Sequence, residues 1–170
     1  EGRLLPGGGR EPWTRDEEVE YANNHGLVIP QSKSKIWSID ENVWGRSIEG
    51  GRLEEPDYAP PEEIFKWTNG LDKCPDVPQE VIVKFENGNP VAIDGKRYEP
   101  LDLIIEMNRI SGLHGVGRVD IMEDRMLGLK VRENYECPAA VALLAAHRAL
   151  EALVCTQSEL KFKASVDREW

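Results

Sequence analysis

A dense group of ionisable side chains occupies the segment HGVGRVDIMEDR, from His114 to Arg125. Its twelve residues include three acids, two arginines, one histidine and two glycines. A histidine can transfer protons near neutral pH, glycine-rich turns can bind phosphate, and a carboxylate among apolar neighbours needs a cation. Each of these chemistries requires a particular spacing, so the pattern can be tested against each one.

The glycines of this region do not have the spacing of a phosphate-binding loop. Gly112, Gly115 and Gly117 fit neither the Gly-x-Gly-x-x-Gly pattern nor a Walker loop. The segment also follows a predicted helix and enters a predicted strand, the reverse of the order that such loops need. The spacing therefore favours a helix end followed by a tight turn over a nucleotide site.

His114 can be either a general base or a histidine that hydrogen-bonds a turn. No serine or cysteine lies in a recognisable nucleophile elbow, and the other histidines, His25 and His147, fall at a helix end and within a helix. The second interpretation is favoured, and we assign no catalytic residue. Cys74, Cys137 and Cys155 are far apart and have no histidine at ligand spacing, which predicts a reduced, cytoplasmic chain without a metal site.

Glu123 is the most informative of the acids. In a strand it shares a face with the apolar Val119 and Ile121, because alternate residues point to the same side. A carboxylate in that position is either solvated at the end of the sheet or partly buried and neutralised by a cation. The cation can be a neighbouring side chain (Arg118, Arg125 or Lys130) or the ammonium group of a ligand, and the residue pattern alone favours the side chain.

A long polar segment precedes these residues and offers matching groups. Residues 27–63 are rich in Ser, Gly, Pro, Asp and Asn and lack a sustained period, which predicts a loop anchored by Trp37 and Trp44. Its polar side chains suit a small polar ligand such as an amino acid, although loop serines more often cap turns. The groups concerned are Ser38, Asp40, Asn42 and Ser47.

Hairpins and helices are predicted around this loop. Thr14 and Glu17 form a capping box that predicts a helix over 15–25. Alternation predicts a hairpin over 80–98 that turns at Asn87-Gly88 and bends at Asp94-Gly95, and a second hairpin over 116–133 that turns at Asp124-Arg125. Prolines open helices over 100–112 and 138–154. This order predicts an α+β fold, a mainly antiparallel sheet built from hairpins with several packed helices.

Bulk composition excludes several classes of partner. A length of 170 residues fits one domain, and 31 acids against 21 bases give a net charge of −10. Without a local basic patch, this charge argues against nucleic acid and anionic membrane surfaces. The most apolar segment, which begins at Ala139, is interrupted by His147, Arg148 and Glu151, so it predicts a core or interface helix and not a membrane span.

Longer motifs carry a resemblance to a known family. WSIDENVWGRSIEGGRLEEP, FENGNPVAIDG, HGVGRVDIMEDRMLGLKVRENYECPAA and LLAAHRALEALV occur in one order, and the chain from 13 to 170 resembles argininosuccinate synthase. The resemblance implies a ligase that joins L-citrulline and L-aspartate, with ATP and Mg²⁺, to give argininosuccinate, AMP and pyrophosphate. It implies a role in arginine biosynthesis or the urea cycle.

The resemblance also implies which residues contact substrate. The positions that match the family's citrulline site are Ser38, Ser47, Glu123 and Tyr135. Glu123 is then expected to be a buried carboxylate that binds the α-ammonium, while the hydroxyls bind the substrate's carboxylate. None of the four needs to transfer a proton.

The family pattern extends beyond this sequence. Its Ser-Gly-Gly-x-Asp-Thr-Ser loop, which binds ATP, has no match here, and neither do its aspartate-binding residues. The resemblance therefore implies a citrulline-binding synthetase domain over 13–170, truncated at the C-terminus, inactive alone and part of a homotetramer when complete. Residues 1–12 are expected to be a linker or a cloning remnant. The alternative is a non-catalytic small-molecule-binding or oligomerisation module that uses the helix from Ala139.

Overall fold

The computed structural model describes residues 3–4, 10–11, 13–28, 37–126, 128 and 130–170. They form four helices and three antiparallel sheets, so the predicted α+β class with hairpin-built antiparallel sheets is confirmed. The smallest sheet pairs β1 (Arg3–Leu4) with β2 (Arg10–Glu11), within the segment predicted to be a linker. Helix α1 (Arg15–Asn24) follows.

The start of α1 has the predicted capping box. The Thr14 hydroxyl accepts a hydrogen bond from the Glu17 backbone N–H, and the Glu17 carboxylate accepts one from the Thr14 N–H. These bonds satisfy backbone groups that the first helical turn cannot pair internally. The helix ends at Asn24, one residue before the predicted end.

A four-stranded sheet forms the centre of the functional region. Its strands are β3 (Ser38–Glu41), β4 (Arg46–Glu49), β8 (Arg118–Asp124) and β9 (Lys130–Glu136). They lie in the order β3-β4-β9-β8, with every neighbouring pair antiparallel. The pairing of β4 with β9 joins residues that are far apart in the sequence.

A three-stranded sheet forms the second hairpin unit. It contains β5 (Val83–Glu86), β6 (Asn89–Ile93) and β7 (Lys96–Arg97). Asn87 and Asp94 have positive φ angles of 51° and 49°, and a glycine with positive φ follows each of them. Asn-Gly and Asp-Gly sequences favour this two-residue turn, so both predicted reversals are confirmed.

Two helices pack against the three-stranded sheet. Helix α2 (Pro100–Leu113) and helix α3 (Pro138–Val154) each begin with proline, as predicted. Their buried faces meet β6 in a core of Ile93, Leu103, Met107, Ile110, Ala139 and Leu143. A second core lies behind the four-stranded sheet and contains Ile48, Leu53 and Ile64.

Three features differ from the sequence prediction. Residues 27–63 are not an uninterrupted loop, because β3 and β4 lie within them. The turn between β8 and β9 begins at Arg125, but β9 starts only at Lys130. The connection is therefore longer than the predicted tight turn at Asp124-Arg125. A last helix, α4 (Gln157–Glu169), was not predicted, although Thr156 and Glu159 form a capping box at its start.

Candidate functional site

The strand register places the four candidate substrate residues on one face of the four-stranded sheet. Ser47 lies opposite Tyr135, and Tyr135 lies opposite Val119 on the other side of β9. Ser38 lies opposite Glu49, two residues from Ser47. Glu123, four residues after Val119, points to the same side because strand residues alternate. The sheet therefore brings all four candidates together on one surface, which we call the polar face.

Glu123 and Tyr135 are in direct contact on the polar face. The Tyr135 hydroxyl donates to Glu123 Oε1 over 2.7 Å and lies 3.1 Å from Glu133 Oε2. Burial and the hydrogen bond to Glu123 raise the pKa of Tyr135, so the phenol stays protonated and acts as a donor at neutral pH. The Glu123 side chain is 31% exposed, so this carboxylate is partly buried beside a cation and is not fully buried as the resemblance implied.

A guanidinium lies beside these groups. Arg125 Nη2 is 2.8 Å from Glu49 Oε2 and also hydrogen-bonds Glu133, while Arg125 Nε is 3.8 Å from Glu123 Oε2. Burial and the nearby Glu49 carboxylate raise the pKa of Glu133. A hydrogen bond from Glu133, together with Arg125, lowers the pKa of Glu49. The two carboxyl groups thus differ in acidity and can hold a proton between them.

The other two cations that could have paired with Glu123 have different partners. Arg118 forms a salt bridge with Glu62 and lies over the Phe65 ring, 4.0 Å from its centroid. Lys130 is 2.9 Å from Asp124 on the opposite side of the sheet. Of the three candidates, only Arg125 approaches Glu123.

Glu136, on the face of β9 opposite Tyr135, anchors this strand. The Glu136 carboxylate is fully buried and accepts hydrogen bonds from the backbone N–H groups of Lys66, Trp67 and Thr68 and from the Thr68 hydroxyl. Its other neighbour is the buried guanidinium of Arg46, at 2.8 Å. This anchor fixes the end of β9 immediately beside Tyr135.

Ser38 and Glu123 lie at opposite edges of the polar face. Strands β3 and β8 are the outer strands of the sheet. Three strand spacings of about 4.8 Å separate their backbones by about 14 Å. A single ligand that contacts both side chains must therefore lie across the strands. Ser47 and Tyr135, on the two inner strands, lie between them.

The predicted helix end and turn at the glycines are present, and His114 contacts a side chain outside the turn. A Cβ atom on Gly112 would lie 2.0 Å from the Trp67 carbonyl oxygen, and one on Gly117 would lie 2.4 Å from Pro138 Cα. These glycines permit close packing at the end of α2. His114 ends this helix, and its Nε2 atom lies 3.1 Å from Gln79 Oε1. Neither feature touches the polar face.

Asn42 has a turn-forming role. Its Oδ1 atom accepts hydrogen bonds from the backbone N–H groups of Trp44, at 2.8 Å, and Gly45, at 3.2 Å. The Asn108 amide donates to the Val43 carbonyl oxygen and ties this turn to α2. The turn connects β3 and β4 and so fixes Ser38 and Ser47 relative to each other.

The part of the chain that the structure describes contains neither a metal cluster nor a membrane-spanning helix. There, no group of three or more His, Cys, Asp or Glu side chains is arranged to hold a metal ion. Within the same residues, no helix combines the length and hydropathy that crossing a membrane requires. A groove of about 660 Å³ lies between β6, α2 and α3, away from the polar face, and is lined in part by Phe85, Leu103 and Leu143.

The sequence interpretation missed two of the acids that contact Arg125, namely Glu49 and Glu133. Glu49 lies in a segment without visible alternation, and Glu133 is an acid in a strand of mixed character. The available signal was the spacing Glu133-x-Tyr135, which puts both side chains on one face of any strand. Linking them to Glu49 requires the β4–β9 register, which is a long-range property of the fold.

The fold and site define a class: an α+β domain whose antiparallel sheet presents acids and hydroxyls on one face and is anchored through the other. Over residues 37–170 the chain matches the family model described as arginosuccinate synthase C-terminal domain. It is 57% identical over 157 residues to the argininosuccinate synthase of Methanococcoides burtonii, and 53% identical over 157 residues to that of Pyrococcus furiosus. The chain therefore belongs to the argininosuccinate synthase family.

These similarities cover most of this chain and part of each relative. The aligned region is 92% of this chain and 40% of the Methanococcoides burtonii protein. For the argininosuccinate synthase of Methanocaldococcus jannaschii, identity is 57% over 155 residues, or 91% of this chain and 38% of that protein. The chain thus spans about 40% of the length of the relatives that it matches.

Proposed function

We propose that this chain provides the citrulline-binding part of an argininosuccinate synthase, the ligase that joins L-citrulline and L-aspartate at the expense of ATP. The observation that carries this proposal is the polar face, where Glu123 and Tyr135 are hydrogen-bonded and Ser47 lies opposite Tyr135. Glu123 binds the α-ammonium of citrulline, and the hydroxyls bind and orient its other polar groups. No residue of the chain is assigned to proton transfer.

The contribution of the polar face to catalysis is orientation. In the proposed reaction the ureido oxygen of citrulline attacks the α-phosphorus of ATP, pyrophosphate leaves, and the amine of aspartate then displaces AMP. Holding the ureido group for in-line attack lowers the entropic part of the barrier. The extent of the sheet from Ser38 to Glu123 suits an extended amino acid that lies across the strands.

The nucleotide and aspartate are assigned to protein outside this chain. The glycines at 112–117 permit packing and leave no phosphate loop there, and the described residues offer no metal cluster. ATP is therefore expected to enter as its Mg²⁺ complex on a separate domain, with the polar face completing the site. The complete enzyme is proposed to be a cytoplasmic homotetramer.

Citrulline binding tests the proposed role of Glu123. In a full-length argininosuccinate synthase that contains this chain, Glu123→Gln should weaken citrulline binding by about 1.5–3 kcal/mol, the range for a charge-assisted hydrogen bond. Asp124→Asn is a matched control, because the exposed Asp124 carboxylate pairs with Lys130 away from the polar face. An unchanged citrulline constant in Glu123→Gln would remove Glu123 from the site.

The isolated chain provides a second test. We expect the 170-residue chain to release no pyrophosphate from ATP when citrulline and aspartate are present, because we assign the nucleotide site to another domain. Citrulline-dependent release of pyrophosphate by the purified chain would contradict the assignment of ATP to another domain.

A non-catalytic oligomerisation module is the second candidate function. The observation that favours it is the exposed apolar surface of α3 and α4, where Leu153, Val154 and Phe162 are 80%, 68% and 73% exposed. Light scattering after size-exclusion chromatography discriminates the two functions. A defined oligomer that does not bind citrulline supports the module, whereas citrulline binding that depends on Glu123 supports the ligase.

A further inference from the structure

Arg125 joins carboxylates from three strands at one end of the polar face. It follows the last residue of β8, and its side chain reaches Glu49 on β4, Glu133 on β9 and Glu123 on β8. The guanidinium is fixed by these contacts although its side chain remains 46% exposed. One cation thus faces three acids.

The three contacts of Arg125 are unequal. Its Nη2 atom hydrogen-bonds both Glu49, at 2.8 Å, and Glu133. Its Nε atom is 3.8 Å from Glu123 Oε2, which is beyond hydrogen-bond range. The Tyr135 hydroxyl donates to the other oxygen of Glu123, Oε1. Among the described residues, none forms a hydrogen bond with Glu123 Oε2. Glu123 therefore keeps one oxygen available to a ligand.

The charge of the cluster also favours a cationic ligand. Because burial raises the pKa of Glu133, this residue is the member that most readily holds a proton. A protonated Glu133 can donate to Glu49, while the Tyr135 hydroxyl donates to Glu123. Even then, a single guanidinium faces two ionised carboxylates, so one negative charge remains for an ammonium group to balance.

We propose that Arg125 is a positioning residue of the citrulline site: it binds Glu49 and Glu133, and so leaves an oxygen of Glu123 open to the α-ammonium of citrulline. The inference rests on the proposed function. Without Arg125, Glu49 and Glu133 would lose the cation that both of them contact, and the contact of Glu133 with Tyr135 would be disturbed. The loss should reach the ligand through Glu123 and should depend on the ligand's ammonium group.

The test compares two ligands that differ only in this group. Citrulline has the α-ammonium, and 5-ureidopentanoate has the same ureido chain and carboxylate without it. In a full-length enzyme that contains this chain, Arg125→Gln should raise the KM for citrulline about tenfold and leave kcat within about twofold. The inhibition constant of 5-ureidopentanoate should change by less than about twofold, because that ligand has no ammonium to lose.

Lys130→Gln is the matched control. It removes a cation from the same hairpin, but Lys130 pairs with Asp124 on the opposite side of the sheet. This variant should keep the wild-type KM for citrulline. That result would show that removing a positive charge from this hairpin is not by itself enough to raise the KM.

Three outcomes would overturn the proposal. Equal losses for citrulline and 5-ureidopentanoate would mean that Arg125 only supports the fold. Tighter citrulline binding in Arg125→Gln would mean that Arg125 competes with the ammonium. If Glu123→Gln weakens citrulline binding and Arg125→Gln does not, the role of Arg125 fails while the proposed function stands. If Glu123→Gln has no effect, the proposed function itself fails.

Discussion

Tyr135 and Glu136 are consecutive residues of β9 whose side chains leave the sheet on opposite faces. Tyr135 reaches Glu123 on the polar face, whereas Glu136 is buried behind the sheet against Thr68 and Arg46. The anchor on one side therefore fixes the position of the phenol on the other. The two residues should respond differently to substitution, because one affects binding and the other affects stability.

Tyr135→Phe should weaken citrulline binding with little effect on stability. It removes the hydroxyl that donates to Glu123 Oε1 and leaves the ring. The cost should be about 0.5–1.5 kcal/mol, as for a typical hydrogen bond, and should appear in the KM for citrulline of a full-length enzyme. Tyr58→Phe, whose ring lies against Arg52, is the control. An equal rise of KM in both variants would contradict this prediction.

Glu136→Gln should destabilise the fold by about 3 kcal/mol, since it leaves the buried Arg46 with only the exposed Glu41 as a charged partner. Glutamine also keeps only one acceptor oxygen, and its amide nitrogen cannot accept a hydrogen bond from the N–H groups that face Glu136 on both oxygens. Urea unfolding measures the effect as a lower midpoint. Glu106→Gln, which breaks a surface pair with Arg109, should cost less than about 0.5 kcal/mol. Similar costs for the two variants would refute the role of Glu136 as an anchor.

Gly112→Ala should destabilise the chain, although alanine is normally preferred to glycine in a helix by about 1 kcal/mol. The new Cβ atom would lie 2.0 Å from the Trp67 carbonyl oxygen, so backbone must shift, at a cost of about 1–3 kcal/mol. Gly45→Ala is the control, because its Cβ atom would meet Cys137 Cβ at 3.4 Å. A thermal midpoint that rises in Gly112→Ala would show that the close contact is absent.

Glu133→Gln should change how stability depends on pH. The folded-state pKa of Glu133 is raised by burial and by Glu49, so its stabilising contribution is present below the unfolded pKa of about 4.3. That contribution is lost as the pH rises through the folded pKa. Glutamine does not titrate, and its amide can still donate to Glu49. Relative to the wild type, the variant should therefore become more stable as the pH rises from 4 to 8.

Urea unfolding at several pH values tests whether the variant gains stability relative to the wild type as the pH rises. The difference in unfolding free energy, variant minus wild type, should increase between pH 4 and pH 8. A difference that stays constant would mean that Glu133 titrates as an ordinary exposed carboxyl. A difference that decreases would mean that Arg125 dominates and lowers the pKa of Glu133.

Local signals were sufficient to predict much of the fold. Pro100 and Pro138 marked the starts of α2 and α3, and the Asn87-Gly88 turn marked the hairpin, because each residue restricts the backbone at its own position. Strands β3 and β4 were missed for a physical reason. Their outward face carries Ser38, Asp40 and Ser47, so the apolar alternation that marks a strand is largely absent.

The candidate residues could be named one at a time from the sequence, but their arrangement as a cluster could not. Alternation placed Glu123 among apolar neighbours, and the motif resemblance added Ser38, Ser47 and Tyr135. The joint contact of Arg125 with Glu49 and Glu133 depends on the β4–β9 register, to which no local pattern contributes. Helix α4 is a different case, since the Thr156 capping box was visible in the sequence.

The pairing of β4 with β9 has a kinetic consequence. Arg46 and Glu136 meet across 90 positions of sequence, so the chain must close a long loop before these strands can join. Contacts of such separation slow folding, whereas the β5–β6 hairpin and the helices can form early. Ser47 and Tyr135 therefore meet only after this late closure. A nascent chain can form the polar face only once β9 (Lys130–Glu136) has left the ribosome.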